Sequence, residues 1–347
     1  MTRGLPVTLM RGGTSKGVFV REGDLPPAGP TRDALLLRLM GSPDPMQLDG
    51  LGGTHSSTSK VMAMARSERP GCDADYLFAQ VAVDQAVVDW AGNCGNLTAA
   101  AALYALEHGW RRVPGKVDLF NVNTGRRVRA ELSEGVGGAS TVRAAFLDPA
   151  GAVTGALLPT GQAREWLETS TGDRIEVTIA DVSGAVCFAR AADLGVEPLV
   201  RPADANADAA LLARAEALRA AAGERIGRTS PGSPRLLLVA APRDHVLADG
   251  RAVAATDHDL VARAFSMQKM HHACPVTVLQ CAAVAARLPG SVPAALATGT
   301  GPVFRLANPK AVLKAEAAVA GGAEPTVEWV ALTYSARTLL DGVAYLS

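Results

Sequence analysis

Along the chain, apolar residues fall into short runs broken by glycine and hydroxyl residues, with two longer alanine-rich stretches among them. Short runs of this kind predict strands, and the alanine-rich stretches predict buried helices. Residues 6–10 and 18–20 read as two strands flanking Gly12, Gly13 and Gly17, with a polar turn of Arg11, Thr14, Ser15 and Lys16. Thr31 is placed to cap a helix over 32–40, which Gly41 ends. Residues 49–60 are mainly glycine and hydroxyl, and strand-like segments follow at 61–65 and 78–83. Asn93 to Asn96 then lead into the first alanine-rich helix, 97–106, closed by Gly109.

The second half repeats this grammar. A helix over 207–222, closed by Gly223, precedes an apolar strand at 236–241. The second alanine-rich helix, 276–287, is approached through Met270, His271, His272, Ala273, Cys274 and Pro275. An apolar helix with a polar lead-in in each half predicts two α/β domains, 1–180 and 181–347, facing across a cleft. The final strand is free to return to the first domain. Sequence identity between the halves is negligible, so any duplication must be sought in the structure.

Composition narrows the class. At 347 residues the chain exceeds what one core usually supports. Its 48% hydrophobic content, 35 Gly and 21 Pro fit a compact enzyme with many tight turns. Basic and acidic residues both number 34, which leaves no global field to favour nucleic acid or an anionic membrane, so any anion specificity must be local. No apolar run approaches the roughly 18 residues needed to span a bilayer, and the expectation is a cytoplasmic protein. The five cysteines, Cys72, Cys94, Cys187, Cys274 and Cys281, lack paired or zinc-type spacing and read as free thiols.

Three motifs carry candidate chemistry. Asn93-Cys94-Gly95-Asn96 puts a thiol at a helix start, where unpaired backbone N–H groups favour a thiolate or a bound carboxylate. A buried structural cysteine is the competing reading, and the one adopted for Cys72, Cys187 and Cys281. Thr58-Ser59-Lys60-Val61 ends the glycine-rich loop and sets an amine at the mouth of an apolar strand, though most lysines are simply solvated. Arg11 to Gly17 concentrates two cations, two hydroxyls and flexible backbone, suited to gripping a carboxylate. Its spacing does not match a phosphate loop, and residues 49–53 lack a dinucleotide fingerprint. Adjacent His271 and His272 should point in different directions and could not readily share a metal.

Residues 10–17, Gly41-Ser42-Pro43-Asp44, Asp49-Gly50-Leu51-Gly52-Gly53, Thr58-Ser59-Lys60-Val61 and Asn93-Cys94-Gly95-Asn96 together resemble the family of 2-methylaconitate cis-trans isomerase, methylitaconate isomerase and 4-oxalomesaconate tautomerase. Leu157-Leu158-Pro159-Thr160-Gly161, Ala191-Ala192-Asp193-Leu194-Gly195 and residues 266–271 extend the likeness over most of the chain. The resemblance implies a diaminopimelate-epimerase-like α/β fold of two pseudo-symmetric domains, each a curved sheet around a central helix. It also implies no metal and no cofactor, with Lys60 and Cys94 as catalytic residues. The activity it implies is a 1,3-allylic proton shift or cis-trans isomerisation of an unsaturated di- or tricarboxylate. Arg11, Thr14, Ser15, Thr58, Ser59, Asn93, Gly95, Asn96 and Lys310 are then expected to bind that acid, and a homodimer is compatible with this expectation.

The departures lie in the second half, where Gly184-Ala185, Val278 and Asn308-Pro309-Lys310-Ala311 stand in place of the family's usual residues. They point to an acid of altered shape rather than to a different reaction. Two alternatives remain in view: an amino-acid epimerase using Cys94 and Cys274, and a non-catalytic small-acid-binding protein.

Overall fold

Gly13, at φ +51, turns the chain between β1 (Arg3–Gly12) and β2 (Ser15–Arg21), so Arg11 and Lys16 face each other as strand partners rather than lying in a loop. The computed structural model describes residues 3–230, 232–320 and 325–346. It comprises two units, Met1–Leu147 with Thr333–Ser347, and Asp148–Leu332.

In the first unit the hairpin is followed by α1 (Pro30–Met40), β3 (Lys60–Arg66), β4 (Ala74–Val81), β5 (Val88–Asp89), α2 (Gly95–Glu107), β6 (Lys116–Asn121), β7 (Arg126–Glu134) and β8 (Ser140–Leu147). Gly29 rather than Thr31 is the N-cap of α1, because Pro30 opens the helix with its fixed φ. Strand pairing runs β1–β2 antiparallel, β2–β3 parallel, β3–β4 antiparallel, β4–β6 parallel, then β6–β7 and β7–β8 antiparallel. The last strand of the chain pairs with both β1 and β8, which closes this series around α2. Ala99, Ala100, Ala101 and Ala102 of α2 are fully buried. Side chains this small are what allow a ring of strands to pack closely on a central helix.

In the second unit the elements are β9 (Glu165–Glu168), β10 (Arg174–Asp181), β11 (Ala185–Arg190), α3 (Pro202–Ala207), α4 (Ala209–Arg225), β12 (Arg235–Ala240), β13 (His245–Val246), β14 (Ala252–Val253), β15 (Leu260–Ser266), β16 (Lys269–Met270), α5 (Val276–Ala285), α6 (Val292–Leu296), β17 (Val303–Ala307), β18 (Val312–Ala320) and the start of β19 (Thr326–Leu346), whose residues from Thr333 on belong to the first unit. Residues 148–180, grouped with the first half from sequence, bond within this unit. Asp181 Oδ2 accepts from the N–H groups of Val153 at 2.7 Å and Thr154 at 2.6 Å, and β10 pairs with β11. Helix α4 continues through Gly223 to Arg225, since the left-handed residue that ends it is Gly227 at φ +66.

Pairing here runs β10–β11 antiparallel, β11–β12 parallel, β12–β15 antiparallel, β15–β17 parallel, then β17–β18 and β18–β19 antiparallel. That is the order of the first unit, with α5 between β15 and β17 as α2 lies between β4 and β6. The repeat that sequence identity hides is written in the topology. Among the described residues, no helix is long and apolar enough to cross a membrane.

Candidate active site

Strand β2 organises the first unit's chemistry through alternate residues. Ser15 and Gly17 share one face, and in the parallel register that sets Val18 beside Val61, Gly17 lies next to Lys60. A Cβ at Gly17 would stand 2.7 Å from Leu97 Cδ1, 3.1 Å from Lys60 O and 3.5 Å from Lys60 Cβ. Only glycine lets α2, β2 and β3 meet there. Ser15 Oγ in turn lies 3.8 Å from Cys94 Sγ, the thiol donating. Two strand residues span about 7 Å, so the thiol and the lysine flank one short stretch of β2.

The Lys60 side chain is buried, with Nζ donating to Gln80 Oε1 at 2.6 Å and lying 5.0 Å from the Phe78 ring centroid. Gln80 Nε2 donates to Ser59 O at 2.8 Å and Ser56 O at 3.0 Å, which obliges its oxygen to face the lysine. Among the described residues, no carboxylate pairs with Lys60, so a neutral amide holds the nitrogen.

Cys94 is the N-cap of α2, extended at φ −130 and ψ 95, with no side chain capping the helix. Its carbonyl accepts from Thr98 N at 3.1 Å and Thr98 Oγ1 at 3.2 Å. The Tyr76 hydroxyl then donates to Thr98 Oγ1 at 3.0 Å. Burial pushes the Tyr76 phenol up, offset by hydrogen bonds to Thr98 and Asn121, while Cys94 raises it further. Tyr334 is raised by burial first and then by Cys94 and Tyr76, and its buried hydroxyl has no hydrogen-bond partner among the described residues.

The other expected residues divide by what they already hold. Asn96 Nδ2 donates to Thr14 Oγ1 at 3.1 Å, joining the hairpin turn to the first turn of α2. Gly95 is the first residue of that helix. Thr58 Oγ1 donates to Gly53 O at 2.8 Å, and the fully buried Ser59 Oγ accepts from Gln47 Nε2 at 2.7 Å, so both hydroxyls brace the glycine-rich loop. Asn93 Oδ1 accepts from Asn121 Nδ2 at 2.9 Å. Arg11 Nη1 donates to Gly13 O and to Ser335 Oγ, each at 2.9 Å. Lys310 belongs to the second unit, where its backbone N–H donates to Asn308 Oδ1 at 2.8 Å. Gln47, Gln80 and Tyr334 were not singled out from sequence, because each meets this site through strand pairing or a loop crossing rather than through a motif.

A concavity of about 480 Å³ opens at the other end of α2, lined by Thr8, Arg21, Tyr104, His108 and Asp341 among others, and does not include Lys60 or Cys94. Cys72, Cys187 and Cys281 are buried thiols pushed up by desolvation, as inert structural cysteines are. His271 and His272 do not point apart. Their rings stack with centroids 4.5 Å apart, because the chain there is irregular and the strand alternation does not apply. Among the described residues, no three His, Cys, Asp or Glu groups are gathered to hold a metal.

The chain matches the PrpF protein family over residues 2–347. It belongs to that family. Among PrpF relatives, a 2-methyl-aconitate isomerase of Shewanella oneidensis is 38% identical, over 96% of this chain and 95% of its own. A 4-oxalomesaconate tautomerase of Pseudomonas putida is also 38% identical, over 98% of this chain and 95% of its own. The crystal structure of a methylitaconate-delta-isomerase superposes with a TM-score of 0.89 at 34% identity, covering 99% of this chain and 96% of that one. A probable proline racemase of Agrobacterium radiobacter, at TM-score 0.55 and 14% identity, covers 99% of this chain and 93% of its own and shares the fold alone. This PrpF chain therefore has the diaminopimelate-epimerase-like α/β fold that its motifs imply, and it is an enzyme of the isomerase class.

Proposed function

We propose that this PrpF chain moves a proton along a small unsaturated di- or tricarboxylate without a cofactor, with Lys60 and Cys94 as its acid/base pair. One of the two takes a proton from the saturated carbon beside the double bond. The electron pair spreads over the allylic unit into the conjugated carboxylate, giving a dienolate. The other group delivers a proton to the far carbon, and the double bond has shifted. If the intermediate instead rotates and is reprotonated where it began, the outcome is cis-trans isomerisation. Atoms balance in both cases, and exchange with solvent resets the pair.

The observation that carries this reading is the shared face of β2, which sets Ser15 against Cys94 and Gly17 against Lys60. The N–H groups of Gly95 and Asn96 lie in the first turn of α2 and have no intrahelical carbonyl to meet. Aimed at a carboxylate oxygen gaining charge, such donors contribute about 3 kcal/mol each. Thr14, Ser15 and Asn96 are the side chains assigned to hold the acid, with Thr58, Ser59 and Asn93 bracing the backbone that presents them. A cytoplasmic location belongs to the same reading, as does the lack of a nucleic-acid or membrane partner, the latter on the strength of the balanced 34 basic and 34 acidic residues. A two-thiol epimerase is disfavoured, since burial pushes Cys274 up to about 12 and Pro275, not a thiol, begins the second helix.

The test is proton NMR in deuterium oxide with 2-methylaconitate, methylitaconate, 4-oxalomesaconate and other unsaturated di- and tricarboxylates. Deuterium should enter allylic positions of at least one. A panel with no exchange and no isomerisation overturns the reading.

A further inference from the structure

The matched strand orders allow the two units to be read against each other position by position. Strand β2 ends at Arg21, opposite Met64, and β11 ends at Arg190, opposite Val239, each leading into a short 3-10 turn. Counted back four residues from those partners, Arg235 stands in the place of Lys60, and Pro275 caps α5 as Cys94 caps α2. A guanidinium stays protonated and a proline has no proton to give, so this pair does not repeat the chemistry of the first unit.

That guanidinium has no counter-charge. Arg235 Nη1 donates to Thr277 Oγ1 at 2.7 Å, and Nε is sealed from solvent with no hydrogen-bond partner among the described residues. No carboxylate among the described residues pairs with it. The thiol of Cys274 is its charged-capable neighbour, and burial keeps that thiol protonated, at about 12. Burial likewise pushes Arg235 down, offset in part by Cys274, as expected of a half-buried cation without a carboxylate partner. Thr277 stands in the first turn of α5, a 10-residue helix whose initial N–H groups have no side-chain cap. Gly184, at φ +152, leaves room on the other side, since a Cβ there would find only Thr277 Cβ at 3.9 Å. His271 is held toward its neutral form by burial first and His272 second, and Arg235 and Lys310 add to this.

We propose that Arg235, Thr277 Oγ1 and the first-turn N–H groups of α5 form a carboxylate-binding site within the second unit. The planar fork of the guanidinium matches a carboxylate, and the bound oxygen pair supplies the partner that Nε lacks. The preference for a small organic acid over another anion rests on the isomerase reading above; the need for an anion does not.

The test uses the full chain labelled with ¹⁵N-arginine. The Arg235 Nε–H resonance, identified by its loss in Arg235→Lys, should move and saturate on adding succinate, and inorganic phosphate should move it far less. By calorimetry Arg235→Gln should weaken succinate binding about a hundredfold, and Arg235→Lys about tenfold, since lysine keeps the charge but loses the fork. If Arg235→Gln does not fold, the wild-type resonance and Arg235→Lys decide. A resonance indifferent to succinate, an unchanged affinity in a folded Arg235→Gln, or equal response to phosphate overturns the proposal. An enzyme that exchanges deuterium while this resonance stays silent refutes the site and spares the isomerase reading. A responsive resonance in a chain that isomerises nothing does the reverse.

Discussion

Lys60 and Gln80 face each other across β3 and β4, and the same pair is joined by the 2.6 Å hydrogen bond from Nζ to Oε1. The register thus fixes where the amine sits, and the neutrality of its partner fixes what it meets. Gln80→Glu keeps the shape and adds a charge that favours the ammonium form. Where Lys60 takes the proton, turnover near neutral pH should fall about 100-fold with the acidic limb of the pH–rate profile moved upward; where it delivers the proton, the basic limb moves upward instead, and in both cases melting should change little. An unaltered profile would remove Gln80 from the chemistry.

Lys60→Ala and Cys94→Ser should each cut turnover by about 10³-fold or more, in line with losing a general acid or base. Circular dichroism should show both folded. Cys72→Ser, which alters a buried thiol away from β2, should keep full activity. Most activity surviving in both site variants defeats the assigned mechanism.

Tyr334 carries a buried hydroxyl with no partner among the described residues, a group that costs folding free energy where it stands. Tyr334→Phe should therefore stabilise the chain by about 1 kcal/mol, seen as a higher denaturation midpoint in urea. A lower midpoint would mean that the hydroxyl has a partner in solution.

Gly17→Ala tests the packing that joins the thiol to the lysine. The added methyl meets Leu97 Cδ1 at 2.7 Å and Lys60 O at 3.1 Å, so α2 or β3 must shift. We expect a loss of about 2 kcal/mol in stability together with a drop in kcat larger than any change in KM. Wild-type kcat in this variant would show that the spacing is slack.

Stability should decline on mild acidification. His258 is fully buried and lowered by desolvation first and the neighbouring His245 second, and His271 is lowered by desolvation first and His272 second. A folded-state value below the unfolded one means that the unfolded chain binds the proton more readily. The stabilisation is then complete above about pH 6.5 and is lost as pH falls through that value toward the folded-state one. Thermal melts between about pH 7.5 and 5 should show the decline, and His258→Asn should flatten it. Identical slopes in the two proteins would clear His258 of the effect.

Cys94 and Lys60 stood out in sequence as candidates because glycine-flanked polar loops ending at apolar elements are local signals, and the roles the resemblance implies for them are the ones proposed above. The first alanine-rich helix was legible for the same reason, with the structure extending 97–106 to Gly95–Glu107. Gln80 was not, being 20 residues from Lys60 and brought to it only by the β3–β4 register. Arg235 was hidden more deeply. Its lack of a partner is a property of the folded second unit, and no motif announces a missing carboxylate. The stacking of His271 on His272 escaped because alternation was assumed where the backbone is irregular. The start of α1 was readable in principle, since Pro30 is a strong first-position residue and outweighs the capping tendency of Thr31.

The pairing of β1 with β19 sets a timetable for synthesis. Arg3 lies opposite Leu346 and Gly12 opposite Ala336, so one edge of β1 has no neighbour until those residues leave the ribosome. The first 147 residues can pair β1 through β8 in order, yet their ring stays open while nearly 200 further residues are translated. At about 5–20 residues per second that delay is roughly 10–40 s. Throughout it a nascent chain carries an unsatisfied strand edge beside Leu5 and Val7, both destined for the interior. Crowding on a polysome, where identical edges emerge side by side, is therefore the moment at which this protein is most exposed to pairing with the wrong copy of itself.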